Sequence, residues 1–392
     1  MIPMGYSIQQ RSFLKILHLY SDWRWTGPAE PVLQMCKALA QRGHDVRIAY
    51  RLPLTQTSNK TIAQRVKEIK VTGVTDFSLD RYMNPFNTIK DLIQLPLYLK
   101  KEKFDILHMH LSHDHAIGTI CALPLRGKKP TLVRTFHKRA ILKNNLFNRL
   151  LLRYTDAYLF FTEGFRKRYI EEFGLDPERT AVQPMSVDLK RFDPFRNYKD
   201  MREEFGIPKD AIVIGTVGRF QKYRKMDWFL KAAKEIIKRY ENVYFLIIGR
   251  SSQIKETVIE PIKSLGIEEK AILAGYRRED YVDTLSCLDI FTILMPGSDG
   301  TARALREAMS MEKACVVSDY GMLPEIVDKG RAGIIVKDVS SLIEAWDSLI
   351  RQPDRIKELG KRARQYAVKM FDLNRTAQFL EAFYLKILEK RR

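Results

Sequence analysis

Asp299 and Glu307 stand at the two ends of the run Asp299-Gly300-Thr301-Ala302-Arg303-Ala304-Leu305-Arg306-Glu307, across a glycine turn that opens into a helical pattern. A turn feeding a helix N-terminus presents unpaired backbone N–H groups, which suit an anion such as phosphate. Carboxylates beside such a site cannot take the phosphate itself. They can accept hydrogen bonds from hydroxyls, as on a sugar or ribose attached to that phosphate. The same residues also fit a plainer description, an Asp favourable to the helix macrodipole and a surface Glu on the helix that follows.

A second group lies upstream, in Gly215-Thr216-Val217-Gly218-Arg219-Phe220 with Lys225 following on the next loop. Glycine lets the backbone approach a ligand, and a guanidinium with an ammonium can neutralise a diphosphate without a metal ion. A basic loop between strand and helix is equally the composition of a solvated turn. His108, His110, His113 and His115 are four of the seven histidines. Their spacing permits a metal site, with Asp114 the one carboxylate close by.

The elements that must position these residues follow from the hydropathy pattern. Apolar runs at 14–19, 46–49, 106–109, 132–136 and 157–161 predict buried strands, and the pattern restarts at 212–217, 243–248, 290–294, 314–317 and 333–336. Helical segments alternate with them, notably 31–41, ending at Gly43, and 227–240, and helices dominate from 353 onward. The alternation predicts an α/β chain of two doubly wound parallel sheets. A Pro- and charge-rich stretch, Asp193-Pro194-Phe195-Arg196-Asn197, marks the expected boundary. The reading is one domain over 1–193, a second over 194–372, and a closing helix over 373–392 that packs back toward the first. Two such sheets facing across a cleft would bind ligands at the carboxyl ends of their strands.

Composition bounds the rest. The chain has 392 residues, 45% of them apolar, enough to bury two cores. Cys36, Cys121, Cys287 and Cys315 show no metal-type spacing and no disulfide framework, which fits a reducing compartment. The apolar stretch 13–20 is broken by Lys15 and His18, too short and polar for a leader or a membrane span, so a cytoplasmic location is expected. The net charge is +20, and residues 1–193 carry +13 of it, 31 basic minus 18 acidic. Between His115 and Thr155 there is no Asp or Glu, while Lys138, Arg139, Lys143, Arg149 and Arg153 mix with large apolar residues at helical spacing. That mixture suits an anionic membrane surface or an anionic acceptor, and also an ordinary core-facing helix with a basic exterior.

Taken in order, these motifs resemble glycosyltransferase family 4, retaining enzymes of the GT-B architecture with two Rossmann-like domains. Trp25-Thr26-Gly27-Pro28-Ala29-Glu30 and Arg42-Gly43-His44-Asp45-Val46 resemble the family's N-terminal glycine loop and Arg-Gly-His-x-Val turn. Asp105-Ile106-Leu107-His108-Met109-His110 resembles its Asp-x-x-His-x-His strand, Thr135-Phe136-His137 its Thr-x-His strand end, and Gln183-Pro184-Met185-Ser186-Val187-Asp188 its hinge. Gly218-Arg219, Lys225, Ile248-Gly249, Gly275-Tyr276 and the carboxylate pair leading into Glu307-Ala308-Met309 complete the match. Several positions depart from the pattern. Asp299 replaces Glu, Gly300-Thr301-Ala302 replaces Gly-Phe-Gly, Pro28 follows Gly27 in place of a second glycine, Met185 and Ser186 replace Asn and Gly, and Met226 follows Lys225 where glycine is common. These bear on which donor sugar is taken.

The resemblance implies that Arg219 and Lys225 hold the donor diphosphate, with Gly27, Gly218 and backbone N–H groups at Thr301, Ala302 and Arg303 assisting. It implies that Glu307 accepts the ribose hydroxyls, that Asp299 grips the transferred sugar, and that His137 contacts that sugar from the first domain. The implied reaction is metal-independent and needs no cofactor. It moves a sugar from a nucleotide sugar to an anionic glycan or lipid-linked acceptor, in lipopolysaccharide or other cell-surface polysaccharide synthesis, at the inner face of the membrane. Fixed cations and N–H dipoles would stabilise charge developing on the departing phosphate. A nucleotide-sugar epimerase or sugar phosphorylase would share the scaffold. A non-enzymatic nucleic-acid binder would share the basic charge, but nucleic acid is not the expected partner, because no recognisable RNA- or DNA-binding module is present.

Overall fold

A computed structural model of the chain describes residues 13–25, 28–53, 55, 61–81, 84–125, 127, 129–137, 141–296 and 302–391. They fall into two compact units, Met1–Pro184 with Asn374–Arg392, and Met185–Leu373.

In the first unit seven described strands form one parallel sheet. They are β1 (Lys15–Tyr20), β2 (Asp45–Tyr50), β3 (Thr72–Val74), β4 (Ile106–Met109), β5 (Thr131–Thr135), β6 (Ala157–Phe160) and β7 (Thr180–Val182). Their order is β3-β2-β1-β4-β5-β6-β7. The central strands are buried along their whole length, as Ile106-Leu107-His108-Met109 shows, because helices cover both faces. Those helices are α1 (Ala29–Gln41), α2 (Ile62–Ile69), α3 (Pro85–Glu102), α4 (Ser112–Ala122), α5 (Leu146–Arg153) and α6 (Glu163–Phe173). Asn84 opens α3 by accepting the N–H of Phe86 and Asn87, and Pro85 sits in the first turn, where a missing N–H costs nothing.

The second unit holds a six-stranded parallel sheet, β8 (Ile212–Arg219), β9 (Val243–Arg250), β10 (Ala271–Gly275), β11 (Ile290–Ile293), β12 (Ala314–Ser318) and β13 (Ile334–Val336), in the order β10-β9-β8-β11-β12-β13. Around it lie α7 (Met226–Ile237), α8 (Glu260–Leu265), α9 (Tyr281–Ser286), α10 (Arg303–Ser310), α11 (Leu323–Ile326), α12 (Val339–Ile350) and α13 (Pro353–Phe371). Its core centres on Phe229, Phe245 and Trp346, and the Trp346 indole N–H donates to Thr292 Oγ1 at 3.0 Å. Asp193, at the expected boundary, belongs to this unit, where Arg364 Nη1 donates to the Phe192 carbonyl at 3.0 Å.

The last helix, α14 (Leu373–Arg391), returns to the first unit. Tyr384 Oη lies 2.7 Å from His108 Nδ1, Arg42 Nε donates to Glu381 at 2.6 Å, and Lys386 and Lys390 both reach Glu178. In each sheet the strand order reverses once, between β1 and β4 and between β8 and β11. Ligands of doubly wound sheets bind at the carboxyl ends of the strands at such reversals.

Candidate active site

At the reversal in the second unit, β8 ends in Gly218-Arg219, and Gly218 pairs with Gly249 at the end of β9. Gly249 has φ +148°, and a Cβ there would stand 1.9 Å from the Gly218 carbonyl oxygen, so this close approach requires glycine. Beside Gly218 the space is open, since a Cβ would meet nothing within 4 Å. Arg219 is exposed. Lys225 enters α7 in the left-handed conformation at φ +55°, and its Nζ lies 3.5 Å from the centroid of the Trp228 ring. Among the described residues neither Arg219 nor Lys225 has a carboxylate partner. Arg224 fixes the loop between them. Its Nε donates to the Arg219 carbonyl at 3.0 Å and its Nη1 to the Met295 carbonyl at 2.8 Å, tying the end of β8 to the segment after β11.

Glu307 is buried on α10. Its Oε2 accepts from the Tyr281 hydroxyl at 2.7 Å, and Arg303 Nε lies 2.9 Å from its Oε1. Burial, then the Glu307 charge, pushes the Tyr281 phenol well above its ordinary range, which keeps it a donor. Arg303, expected on the donor phosphate, is here one helical turn from Glu307 and paired with it, as opposite charges at i,i+4 are placed to do. Arg306 is not a solvated helix residue. It is buried, its Nε and Nη1 have no hydrogen-bond partner among the described residues, and burial pushes its guanidinium down to about 10. Ala302, buried, precedes α10 with no side-chain cap at that N-terminus. Asp299, Gly300 and Thr301 lie outside the described residues, as do Gly27, Lys138 and Arg139.

In the first unit the reversal gathers histidines. His18 on β1 pairs in register with His108 on β4, His110 follows β4, and His137 follows β5. All four are buried. His18 Nδ1 lies 2.9 Å from His110 Nε2, and His110 Nδ1 lies 3.1 Å from His137 Nε2. Desolvation pushes His18 and His137 down to about 3, and His108 and His110 well below the usual imidazole range, with the Arg134 charge adding to the effect on His137. Asp114 on α4 pins the strand ends by accepting from the N–H of Ser21 at 2.7 Å and of Leu111 at 2.6 Å.

The metal grouping that sequence spacing permits is not what the fold assembles. His115 turns to Thr155 Oγ1 at 2.7 Å. Among the described residues the nitrogens that converge within 4.8 Å are those of His18, His108 and His110. Both nitrogens of His108 are taken, by Tyr384 Oη and by Thr135 Oγ1 at 2.6 Å, and both of His110 by His18 and His137. An ion would have to break those bonds. His18 carries no motif of its own in the sequence; only its apposition to His108 across the sheet reveals it. Lys143, Arg149 and Arg153 are exposed around α5.

Two family models match the chain in succession, Glycosyltransferase Family 4 over residues 26–191 and Glycosyl transferases group 1 over residues 211–352. The chain is 26% identical over 327 residues to an Escherichia coli protein, UDP-Gal:alpha-D-GlcNAc-diphosphoundecaprenol alpha-1,3-galactosyltransferase, covering 79% of this chain and 83% of that one. A glycosyltransferase from Rickettsia africae ESF-5 superposes with a TM-score of 0.81 at 18% identity, over 96% of this chain and 99% of that one. Anabaena Alr3699/HepE, solved in complex with UDP, superposes with a TM-score of 0.75 at 16% identity, over 94% and 99%. With both sheets, the strand reversals and both family matches in agreement, the chain belongs to glycosyltransferase family 4 and is a glycosyltransferase of the GT-B fold.

Proposed function

We propose that this chain is a retaining, metal-independent glycosyltransferase that moves a sugar from a nucleoside diphosphate sugar to an anionic, lipid-linked glycan during synthesis of lipopolysaccharide or another cell-surface polysaccharide. The observation that carries the reading is the pair of cations at the end of β8. Arg219 and Lys225 have no carboxylate partner among the described residues and stand beside the open Gly218, at a strand reversal where phosphorylated ligands bind. Two basic groups there can neutralise a leaving diphosphate as a metal would. Glu307, held by Tyr281 and Arg303, keeps lone pairs for ribose hydroxyls. Asp299 would grip the transferred sugar and Thr301, Ala302 and Arg303 would offer backbone N–H groups to the phosphates. A UDP complex of a protein with this fold and a relative acting on a diphosphoundecaprenol-linked sugar support the donor and acceptor classes.

The outer helices of the first unit support an anionic membrane surface as the partner. On α3, Phe86, Ile89, Ile93 and Leu97 are exposed at helical spacing, Phe86 by 84%, among the exposed Lys90, Lys100 and Lys101. The two carboxylates of α3 do not offset them. Asp91 is buried against the N–H of Ser78 and Leu79, and Glu102 is paired with Lys15 and Arg47. α3 packs on α4 and α4 on α5, where Leu146, Phe147 and Leu150 are exposed beside Arg149 and Arg153. Cations interleaved with exposed apolar residues suit attachment at the inner face of the membrane, and the exposed Lys143 just before α5 adds to them. Among the described residues no helix is long and apolar enough to cross a membrane.

Thermal shift against a panel of nucleotide sugars tests the donor. A matched donor raises the melting temperature of the wild type, and Glu307→Ala loses the rise. No stabilisation by any nucleotide sugar, with intact protein, would defeat the reading.

A further inference from the structure

His18 within β1, His110 just past β4 and His137 just past β5 form one continuous hydrogen-bonded chain of rings across three adjacent strands. Both ends of that chain are open. Nε2 of His18 and Nδ1 of His137 are buried and have no hydrogen-bond partner among the described residues. The rings are uncharged, since desolvation holds every one far below the usual imidazole range and the buried Arg134 cation adds to this for His110 and His137. The other titratable groups of the cluster, His108 packed against the His18 and His110 rings among them, make no hydrogen bond to the three rings among the described residues. Asp114 accepts from backbone N–H groups of Ser21, His110 and Leu111, and His108 is closed off by Tyr384 and Thr135.

A neutral imidazole carries one N–H and one lone pair. If His18 donates from Nδ1, His110 accepts at Nε2 and must carry its own proton on Nδ1. It then donates to Nε2 of His137, whose proton is left on Nδ1. In the opposite polarity all three protons sit on Nε2. Any mixed arrangement sets two N–H groups or two lone pairs against each other at 2.9 or 3.1 Å. The three tautomers are therefore one variable. The chain also leads nowhere beyond His18, whose outer nitrogen has no group to receive a proton, so a proton taken up at His137 would charge a buried ring and could not be passed on.

We propose that His18 and His110 are positioning residues that hold His137 as a neutral ring of one shared tautomer, and that Nδ1 of His137 takes a hydroxyl as its partner and no proton. A hydroxyl fits either polarity because it both donates and accepts, whereas a phosphate oxygen or an ammonium fits only one. That the hydroxyl belongs to a bound sugar rests on the transferase reading above; the shared tautomer does not.

The test uses the full chain labelled with 15N-histidine, with tautomers read from two-bond 1H–15N correlations. The expected spectrum shows His18, His110 and His137 with the same ring nitrogen protonated, and none doubly protonated between pH 7.5 and 5.5. His110→Phe keeps the ring volume and breaks both bonds, so the tautomers of His18 and His137 become independent. His110→Gln can donate on one side and accept on the other, so it restores the coupling. Turnover follows the same order. It falls about tenfold in His110→Phe, the worth of one hydrogen bond, with donor KM little changed, and recovers in His110→Gln. Mixed tautomers or a doubly protonated ring in the wild type would overturn the proposal, as would His110→Phe and His110→Gln behaving alike. A shared tautomer in a protein that turns over no nucleotide sugar would leave the chain standing and remove the sugar reading alone.

Discussion

Buried neutral histidines make the first unit acid-labile, and the size of the effect can be worked out. A ring with a pKa near 6.5 when unfolded and about 3 when folded stays neutral in the native state while the unfolded chain takes up its proton. Its folded value lies below its unfolded one, so its contribution is complete above pH 6.5 and is lost progressively as pH falls toward 3. Going from pH 7.5 to 5.5 costs RT ln(11/1.1), which is RT ln 10 or about 1.4 kcal/mol per ring. His18 and His137 together lose about 2.7 kcal/mol. His108, His110 and His115 shift in the same direction and add to the loss, a sizeable share of the stability of a typical domain. Asp91 and Asp114, pushed up by burial, gain protons when folded and oppose the trend. The clean perturbation is His115→Gln, which can keep the bond to Thr155 Oγ1 while deleting one titrating ring. Hydrogen–deuterium exchange of β4 and β5 peptides at the two pH values reads the unit directly. The wild type should lose several kcal/mol of protection, and the variant should lose measurably less, because one ring that charges only on unfolding is gone. Equal losses in wild type and variant would refute the argument, because the carboxylate contributions cancel in that difference.

Other changes probe separate parts of the account. Gly249→Ala places a methyl against the Gly218 carbonyl at a φ that disfavours side chains, and should cost about 3 kcal/mol in denaturant unfolding of the second unit. Arg306→Leu removes a buried guanidinium with unpartnered N–H groups and should raise the melting temperature, by scanning calorimetry. Replacing Ile89 and Ile93 on α3 with Ser should weaken co-sedimentation with anionic liposomes without changing the melting temperature, since both side chains are already exposed. Binding that is indifferent to those two residues would remove α3 from the membrane face.

The alternating architecture was legible because central parallel strands are apolar on both faces. The runs at 106–109 and 314–317 fall on β4 and β12 almost residue for residue. Strands β3, β7 and β10 were not legible. All three are edge strands and partly exposed; β3 and β7 have only three residues and no apolar run, while the apolar run of β10, Ala271-Ile272-Leu273-Ala274, is equally compatible with a partly buried loop or helix segment. In the candidate site, Gly218, Arg219, Lys225 and Glu307 could be found from type and spacing because each belongs to a local strand-turn-helix pattern. His18 could not. Its role depends on β1 lying beside β4, which joins residues far apart in the chain. The apolar stripe of α3 was visible in principle at helical spacing, but only exposure separates it from a core-facing stripe. Arg306 shows the reverse, a charge that pattern places in solvent and packing buries.

The central claim is sugar transfer from a nucleoside diphosphate donor bound through Glu307 and the β8 cations. The direct measurement is nucleotide release from a UDP-sugar, with and without a diphospholipid-linked saccharide acceptor and in the absence of divalent ions, with the product anomer read by NMR. The account predicts release that depends on the acceptor, a product that keeps the donor's anomeric configuration, and a rise of about 10- to 100-fold in donor KM for Glu307→Ala. Release that ignores the acceptor, an inverted product, or a Glu307→Ala enzyme with unchanged donor KM and turnover would contradict it.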